Sequence, residues 1–434
     1  MRKKLKNIVK NLINTYNNVK KVKEMLSQFI VKNFRSIKNE IVLDLNPTAI
    51  SEHKEHLFKN KKGQDILPIS ILYGPNGAGK SNILRAICAL LCIVFNPIKY
   101  SITNDFPMFF LNDRKEEIIP FALDNESCNN PTEFVLFLKC EIGEYKYQIN
   151  IFDNEIIYEK LEILNYLTRR VSKLFIRENN EIKMFNELSK LKVNAEISKT
   201  LPLISYLRLT YFENDIVKDL FINGFNTIFY VDYSSSFNYK SDLILNLLIK
   251  NEKSKFLQIL KKLDTKIDDY RFVDKDNQIE LYTKHKIEEE YYELPLEEES
   301  TGTKKIFSVI SQILLALDLG GTFVADELDA QLHPILLKYL IEMFTNPNIN
   351  RHCAQLIFTS HDMVTMTNEL LRRDEIWFVA KGEKQESILY SLVEFKVDKF
   401  SVRKDASYNK QYLEGKYGAD PYFIKMTSWE DLDG

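Results

Sequence analysis

The 434-residue chain has almost no surplus charge: 59 Lys and Arg stand against 61 Asp and Glu, a formal net charge of -2. No global basic field is available to attract nucleic acid, so any such contact has to be local or belong to a partner. Cysteine is scarce as well, five residues without paired spacing. That excludes a disulfide framework and fits reduced thiols in a cytoplasm. No apolar run approaches the roughly 18–20 residues that span a bilayer. The first residues are basic, but Asn11 to Asn18 is too polar for the core of a signal peptide. Internal repeats and sizeable low-complexity segments are lacking too, which argues against solenoids and long tails. What remains is an ordinary globular composition, 45% hydrophobic and 28% charged, in a chain long enough for two or three domains or one large domain with an insertion. A cytoplasmic location and no membrane contact are the expectations.

Against that background one segment stands out. Gly74-Pro-Asn76-Gly77-Ala78-Gly79-Lys80-Ser81 is a complete G-x-x-x-x-G-K-[ST] phosphate loop. An apolar run, Ile69 to Tyr73, enters it as a buried strand would, and a helix-like stretch, Ser81 to Val94, leaves it with Asn82 in its first turn. Glycines let backbone N–H groups approach phosphate oxygens, and the helix N-terminus adds partial positive charge. Lys80 is placed to reach the β- and γ-phosphates of ATP, and the Ser81 hydroxyl to hold Mg2+.

Three later elements make this loop specific. Gly321 to Asp329 reads as an apolar strand ending in the paired carboxylates Asp326 and Glu327. Acids at the carboxyl edge of a parallel sheet sit where ligands bind in α/β folds. Asp326 is read as the Mg2+ ligand and Glu327 as the residue that polarises the attacking water. Glu299-Ser300-Thr-Gly302-Thr-Lys304 opens an amphipathic helix that closes at Gly320-Gly321, 26 residues separating Ser300 from Asp326. Ala354 to His361 is a further buried strand, ending in two hydroxyl residues and His361. It is the one histidine of six with a strong positional argument.

Around these motifs the chain divides into four parts. Residues 1–24 carry Leu5, Ile8, Val9, Leu12, Ile13, Tyr16, Val19 and Val22 at helical spacing with many lysines, a basic amphipathic helix. Residues 25–164 form the first half of an ATPase head, with strands 133–140, 144–151 and 154–164 alternating as an antiparallel meander. Residues 165–290 read as an inserted, mainly helical lobe, and the acidic run Glu288 to Glu299 as a solvated linker back to the head. Residues 291–425 form the second half. The fold class is therefore α/β.

Three other groups of residues were weighed. His53-Lys-Glu-His56 has two histidines three apart. It is not H-E-x-x-H and offers no obvious third ligand, so it reads as two loop histidines. Cys88 and Cys92 read as core. Phe395, Phe400, Tyr408, Tyr412 and Tyr417 interleave with lysines and arginines in a basic tail, which offers either a nucleic-acid stacking surface or a solvated edge.

The order of these motifs resembles that of ABC-type ATPases: Walker A, a signature-like Ser-x-Gly, Asp-Glu, a Leu-Asp-Ala loop and a terminal His. The opening Phe29-Ile-Val-Lys-Asn-Phe-Arg-Ser-Ile37 is similar to the first strand of the SMC/RecF/OLD-like branch. Asp326 to Pro334, Ala354 to Asp362, Leu371 to Val379 and Tyr412 to Pro421 resemble more narrowly the AAA-family ATPases of bacterial abortive-infection and phage-defence operons, often encoded beside a RloB-type protein. The resemblance implies an ABC-type head with a β-meander lobe, working as a homodimer through its heads. Each ATP would lie between one Walker A and the Ser300/Gly302 of the other subunit, with Asp329 facing across the interface and His361 at the γ-phosphate. Asn33 and Arg35 would lie near the nucleotide. It further implies a dimeric ATP-hydrolysing switch that controls a separate RloB-like effector. The alternative is a RecF/SMC-like ATPase of DNA maintenance, with DNA as direct ligand. Here the signature reads Ser-Thr-Gly-Thr, not Ser-Gly-Gly-Glu, and no residue takes the place of the glutamine loop persuasively, Gln148 included.

Overall fold

The computed structural model describes residues 25–59, 63–97, 116–179, 181–193, 197–233, 253–262, 266–275, 278–330, 332–397, 400–403 and 405–419. The amphipathic segment 1–24 lies outside them. Two large sheets organise the rest. The central sheet has six strands in the order Ile228–Asp232, Thr322–Asp326, Gln355–Thr359, Ile69–Tyr73, Ile376–Lys381 and Ser387–Ser391. The first five run parallel, and the last returns antiparallel to Ile376–Lys381. Three of the parallel strands, Ile69–Tyr73, Thr322–Asp326 and Gln355–Thr359, are buried along their whole length. Continuous apolar runs of this kind are the mark of a sheet covered on both faces.

Alternation then assigns each residue to a face. Leu72, Val324, Ile357, Trp377 and Val379 join one core, shared with the helix Lys80–Phe95 and the second sheet. Ile69, Ile71, Tyr73, Phe323, Ala325, Leu356, Phe358, Ile376 and Phe378 join the other core, with the helices Lys253–Lys262, Thr301–Leu319 and Pro334–Thr345. The central sheet is thus the middle layer of three.

The second sheet is antiparallel, seven strands in the order Glu181–Met184, Val171–Glu178, Glu155–Asn165, Gly143–Phe152, Thr132–Lys139, Met25–Lys32 and Ile41–Asp44. Thr132–Lys139 and Gly143–Phe152 alternate buried with half-buried residues, the signature of a sheet with one face in the core. The expected meander is there, and it is longer than expected. It extends through 171–184, because Leu174 and Phe175 bury themselves in the same core. The helices Leu203–Thr210 and Asp215–Ile222 are tied to this sheet by buried carboxylates. Glu159 accepts from the N–H groups of Leu203 and Ile204, at 2.7 and 3.0 Å. Asp219 accepts from Tyr145 Oη and from the N–H groups of Glu141 and Ile142.

The segment 165–290 is therefore not one lobe. Its start belongs to the antiparallel sheet, and Ile228–Asp232 is an edge strand of the central sheet, aligned so that Asp232 lies beside Asp326. Its end is a three-stranded antiparallel sheet, Asp269–Lys275, Gln278–Ile287 and Glu290–Pro295. Among its described residues strand exceeds helix. Lysine-rich composition hid β-branched and aromatic residues that pair across strands. The acidic run at 288–299 is likewise no linker. It forms the outer strand of that small sheet, with exposed side chains at Glu290 to Glu293, and Glu299 accepts from Thr283 Oγ1 and lies 2.7 Å from His285 Nε2.

Cys88 and Cys92 are core residues as expected. No helix among the described residues is long and apolar enough to cross a membrane. In the tail, Tyr408, Tyr412 and Tyr417 are buried, with Tyr412 stacked on Phe378 at 5.3 Å. Those three rings are packing elements and are not available to stack on bases.

Candidate functional site at the carboxyl edge of the central sheet

Parallel strands all end at the same edge, so the residues that follow them converge. Ile69–Tyr73 leads into the phosphate loop, Thr322–Asp326 ends in the acid pair, and Gln355–Thr359 ends before Ser360 and His361. The loop is shaped by backbone that other residues resist. Gly77 and Gly79 have φ of 75° and 103°. A Cβ on Gly79 would fall 2.0 Å from Ser387 Oγ, and one on Gly74 would fall 2.2 Å from the carbonyl oxygen of Val379. Gly77, by contrast, faces open space, as does exposed Asn76 beside it.

Lys80 opens the helix Lys80–Phe95, and its side chain folds back into the loop. Nζ donates to the carbonyls of Gly74 and Pro75 at 2.8 and 3.1 Å. Burial pulls its pKa down to about 8, against the opposing attraction of Asp326, Asp329 and Glu327. The ammonium therefore sits where an anion would restore what desolvation takes away. Ser81 hydrogen-bonds to the carboxylate of Asp326. Asp326 itself is buried, and burial raises its pKa despite the hydrogen bonds from Thr359 and Ser81. A hydroxyl and a carboxylate side by side form the hard oxygen pair that suits Mg2+. Backbone cradle, buried ammonium and oxygen pair together fit a magnesium-bound nucleotide triphosphate.

Thr359 is the hinge between the two acids. Its Oγ1 donates to Asp326 Oδ1 at 2.8 Å and accepts from the Glu327 N–H at 2.7 Å. Glu327 has φ of 52°, so the chain turns sharply between the two carboxylates and gives them different tasks. Asp326 points inward to Ser81, and Glu327 is only half-buried. His361 is exposed at its rim, and partial desolvation of its ring together with the nearby Lys80 cation lowers its pKa, which favours the neutral imidazole.

Asp329, expected to face a second subunit, is engaged within its own chain. Its Oδ2 accepts from Ser360 Oγ and from the N–H groups of His361 and Asp362, at 3.0, 2.7 and 3.0 Å. Three donors on one carboxylate oxygen make it the clamp of its own chain's His361 turn. Asn33 is likewise engaged. Its Nδ2 donates to the carbonyls of Ser127, Asn130 and Pro131 and its Oδ1 accepts from Phe121 N–H, so the side chain is spent inside the fold. Arg35 forms an ion pair with Glu116 at 2.8 Å.

The neighbouring Ser36 touches the phosphate loop instead. Its Oγ accepts from Asn82 Nδ2 at 2.8 Å and bonds to Ser387 Oγ at 2.7 Å, and Ser387 Oγ donates to the Ala78 carbonyl at 2.6 Å. Asn82, expected among the nucleotide contacts, is tied by its side chain to this serine pair. This serine pair escaped the sequence reading because two isolated serines some 350 residues apart carry no local pattern.

A second missed group is Lys305. It lies on the buried face of the helix Thr301–Leu319, one turn before Val309. Its Nζ stands 4.6 Å above the Tyr233 ring. Burial lowers its pKa to about 8 against the attraction of Asp329, Glu327 and Asp232. A lysine on an apolar stripe was the available signal. At the head of the same helix, Ser300 Oγ accepts from Thr303 N–H at 3.1 Å as the N-cap, and Ser300 and Thr301 are exposed while Gly302 is half-buried. Gln148 lies in the strand Gly143–Phe152 and bonds to Asn150, far along the sequence from these loops.

No curated protein matches the chain. Among solved structures, the SMC head domain from Thermotoga maritima is similar at 14% identity with a TM-score of 0.39, covering 85% of this chain and 98% of that chain. The family described as "AAA domain, putative AbiEii toxin, Type IV TA system" matches residues 69–367, more than half of the chain. That span runs from the strand before the phosphate loop to just past His361 and encloses the acid pair. With its phosphate loop, acid pair and terminal histidine gathered at one sheet edge, this chain belongs to that family of AAA ATPases.

Proposed function

We propose that the protein hydrolyses ATP slowly, as a homodimer of heads, and that the resulting opening and closing controls a separate effector in anti-phage defence. The observation that carries this reading is the convergence of Lys80, Ser81, Asp326, Glu327 and His361 at one edge, with Thr359 holding the two acids apart in role. Lys80 would exchange its bonds to the Gly74 and Pro75 carbonyls for phosphate oxygens. Ser81 and Asp326 would hold Mg2+, whose bound charge offsets that developing on the phosphates. Glu327 would take the proton of the attacking water, and neutral His361 would orient it. Exposed Ser300 and Thr301, with Gly302, support completion of the site by a second copy. Asp329 would keep the His361 turn in register within its own chain. The family's toxin–antitoxin description supports a partner-controlled role, and the near-zero net charge of -2 gives no support to DNA as the direct ligand.

The test is ATP turnover by the wild type and Glu327→Gln, with molecular mass measured with and without ATP. Loss of a general base costs about 10²–10⁴-fold, and the variant should be trapped as an ATP-bound dimer. Wild-type turnover in Glu327→Gln would remove that residue from the role of base. A monomer under every condition would remove the dimer.

A further inference from the structure

The His53-Lys-Glu-His56 segment offers more than the sequence promised. His56 is buried and His53 half-buried, their rings stacked with centroids 4.8 Å apart. Glu55 lies between them in the chain, and one ligand atom from each of His53, Glu55 and His56 falls within 4.8 Å of the others. The third ligand missing from the sequence pattern is Glu55, brought round by the short 3-10 turn Lys54–His56.

The outer bonds of both imidazoles are already made. His53 Nε2 lies 2.8 Å from the carbonyl oxygen of Asn368. A carbonyl only accepts, so Nε2 carries the hydrogen and Nδ1 is left as the lone-pair nitrogen of the neutral ring. Yet Nδ1 faces Glu55 Oε1 at 3.0 Å. Two acceptors at that distance need a cation between them, either a proton or a metal ion. His56 Nδ1 faces both oxygens of Glu375, at 3.1 and 3.3 Å, and Glu375 is fully buried. That carboxylate directs the hydrogen to Nδ1 and frees His56 Nε2. An imidazole whose second nitrogen is held by a carboxylate or a backbone carbonyl is the arrangement found around protein-bound metals, where it sets the tautomer and raises ligand basicity.

The frame around the cluster is rigid. Arg372 donates to the Glu52 carbonyl at 2.6 Å while paired with Asp374. Arg373 pairs with Glu52 at 2.6 Å, and Thr48 bonds to Asp374 through both N–H and Oγ1. Both sides of the cluster are thereby held before any ion arrives.

We propose that His53 Nδ1, His56 Nε2 and the Glu55 carboxylate bind one divalent transition-metal ion of the zinc class, with Asn368 and Glu375 as its supporting shell. Two imidazoles and a carboxylate suit zinc, whereas magnesium and calcium take oxygen ligands. Tetrahedral zinc places its ligand atoms about 3.3 Å apart, so the His53–Glu55 pair at 3.0 Å is already close to the required span, and His56 would join it by reorienting its ring within a cluster that spans 4.8 Å. Glu55, the most exposed of the three, is the entry side and leaves room for water as fourth ligand. The ion would staple the loop around residues 52–57 to the segment 368–375 at the entry end of the strand Ile376–Lys381. This is the end away from the phosphate loop, so the role is structural and separate from the nucleotide.

The test uses the full chain stripped with a chelator, then titrated calorimetrically with Zn2+, with Co2+ absorption as a readout of coordination geometry. One tightly bound ion per chain is expected, with tetrahedral-type cobalt bands. Glu55→Gln and His53→Gln, both at accessible side chains, should each weaken binding by at least ~10-fold, and Glu375→Gln by roughly 10–100-fold. Asp326→Asn should leave zinc binding unchanged. The proposal fails if the wild type binds no more zinc than the Glu55→Gln, His53→Gln double variant, or if Asp326→Asn abolishes the binding that those variants retain.

Discussion

The two large sheets of this molecule use their strands in opposite ways. In the central sheet, parallel strands all deliver their following residues to one edge, and the phosphate loop, the acid pair and His361 meet there although about 280 residues separate Lys80 from His361. In the antiparallel sheet successive strands end at opposite edges. Its buried carboxylate Glu159 joins no such site and holds the start of the helix Leu203–Thr210 instead. Asp219, on the helix Asp215–Ile222, reaches back to the turn at Glu141 and Ile142. The lesson is that strand direction, more than polarity, separates residues that do chemistry from residues that hold the fold.

Glu159→Ala tests this contrast most severely. It leaves the N–H groups of Leu203 and Ile204 and the Tyr147 hydroxyl without their acceptor and strands the nearby Arg177. Removing one partner of a buried charged network costs about 3–5 kcal/mol. Denaturant unfolding should show that loss, while nucleotide affinity of the still-folded fraction stays unchanged. A selective loss of ATP affinity would break the distinction between the two sheets.

Glycine substitutions sharpen it. Gly74→Ala drives a Cβ against the Val379 backbone and should cost about 3 kcal/mol, together with nucleotide binding. Gly143→Ala, in the antiparallel sheet, also meets a backbone oxygen, Leu164 O at 2.6 Å, and should destabilise without touching the site.

Lys305 gives a pH signature. Its folded pKa of about 8 lies below the ordinary lysine value, so the charged form costs stability below pH 8. Between about pH 8 and 10.5 the unfolded chain binds more protons, and stability rises with pH. The groups facing Lys305 are Asp232, Glu327, Asp329 and the Tyr233 ring. Its contribution to that rise is at most about 3 kcal/mol, and it should vanish in Lys305→Met when the two unfolding profiles are subtracted.

Thr359→Val should have the smallest effect. It removes the hydroxyl shared by Asp326 and the Glu327 N–H. Turnover should fall by about 10-fold, equivalent to about 1.4 kcal/mol, and loss of the two hydrogen bonds should cost about 1–2 kcal/mol of stability.

Local chemistry made much of the site legible in the chain. The phosphate loop, the strand ending in Asp326 and Glu327, the helix opening at Ser300 and the strand ending at His361 all stand where spacing and apolar runs put them. Each depends on contiguous residues. Asn33 shows the limit: the resemblance gave it a place near the nucleotide, and the fold spends its side chain on the carbonyls of Ser127, Asn130 and Pro131. The segment 165–290 was misjudged for a related reason. Helical spacing near 203–222 was real, but partnership of 171–178 and 228–232 with distant strands left no local mark.

By itself, then, the sequence determined that this chain carries a nucleotide site and which residues form its loop and acids, because a glycine-rich turn and a strand-end carboxylate pair need only their immediate neighbours. Tertiary structure alone decided that Ser36 and Ser387 brace the loop, that Lys305 and Asp232 flank the acids, and that Glu375 and the Asn368 carbonyl orient His56 and His53. Those contacts join residues far apart in the chain, and their energy comes from burial and hydrogen-bond geometry that exist only after the layers have closed.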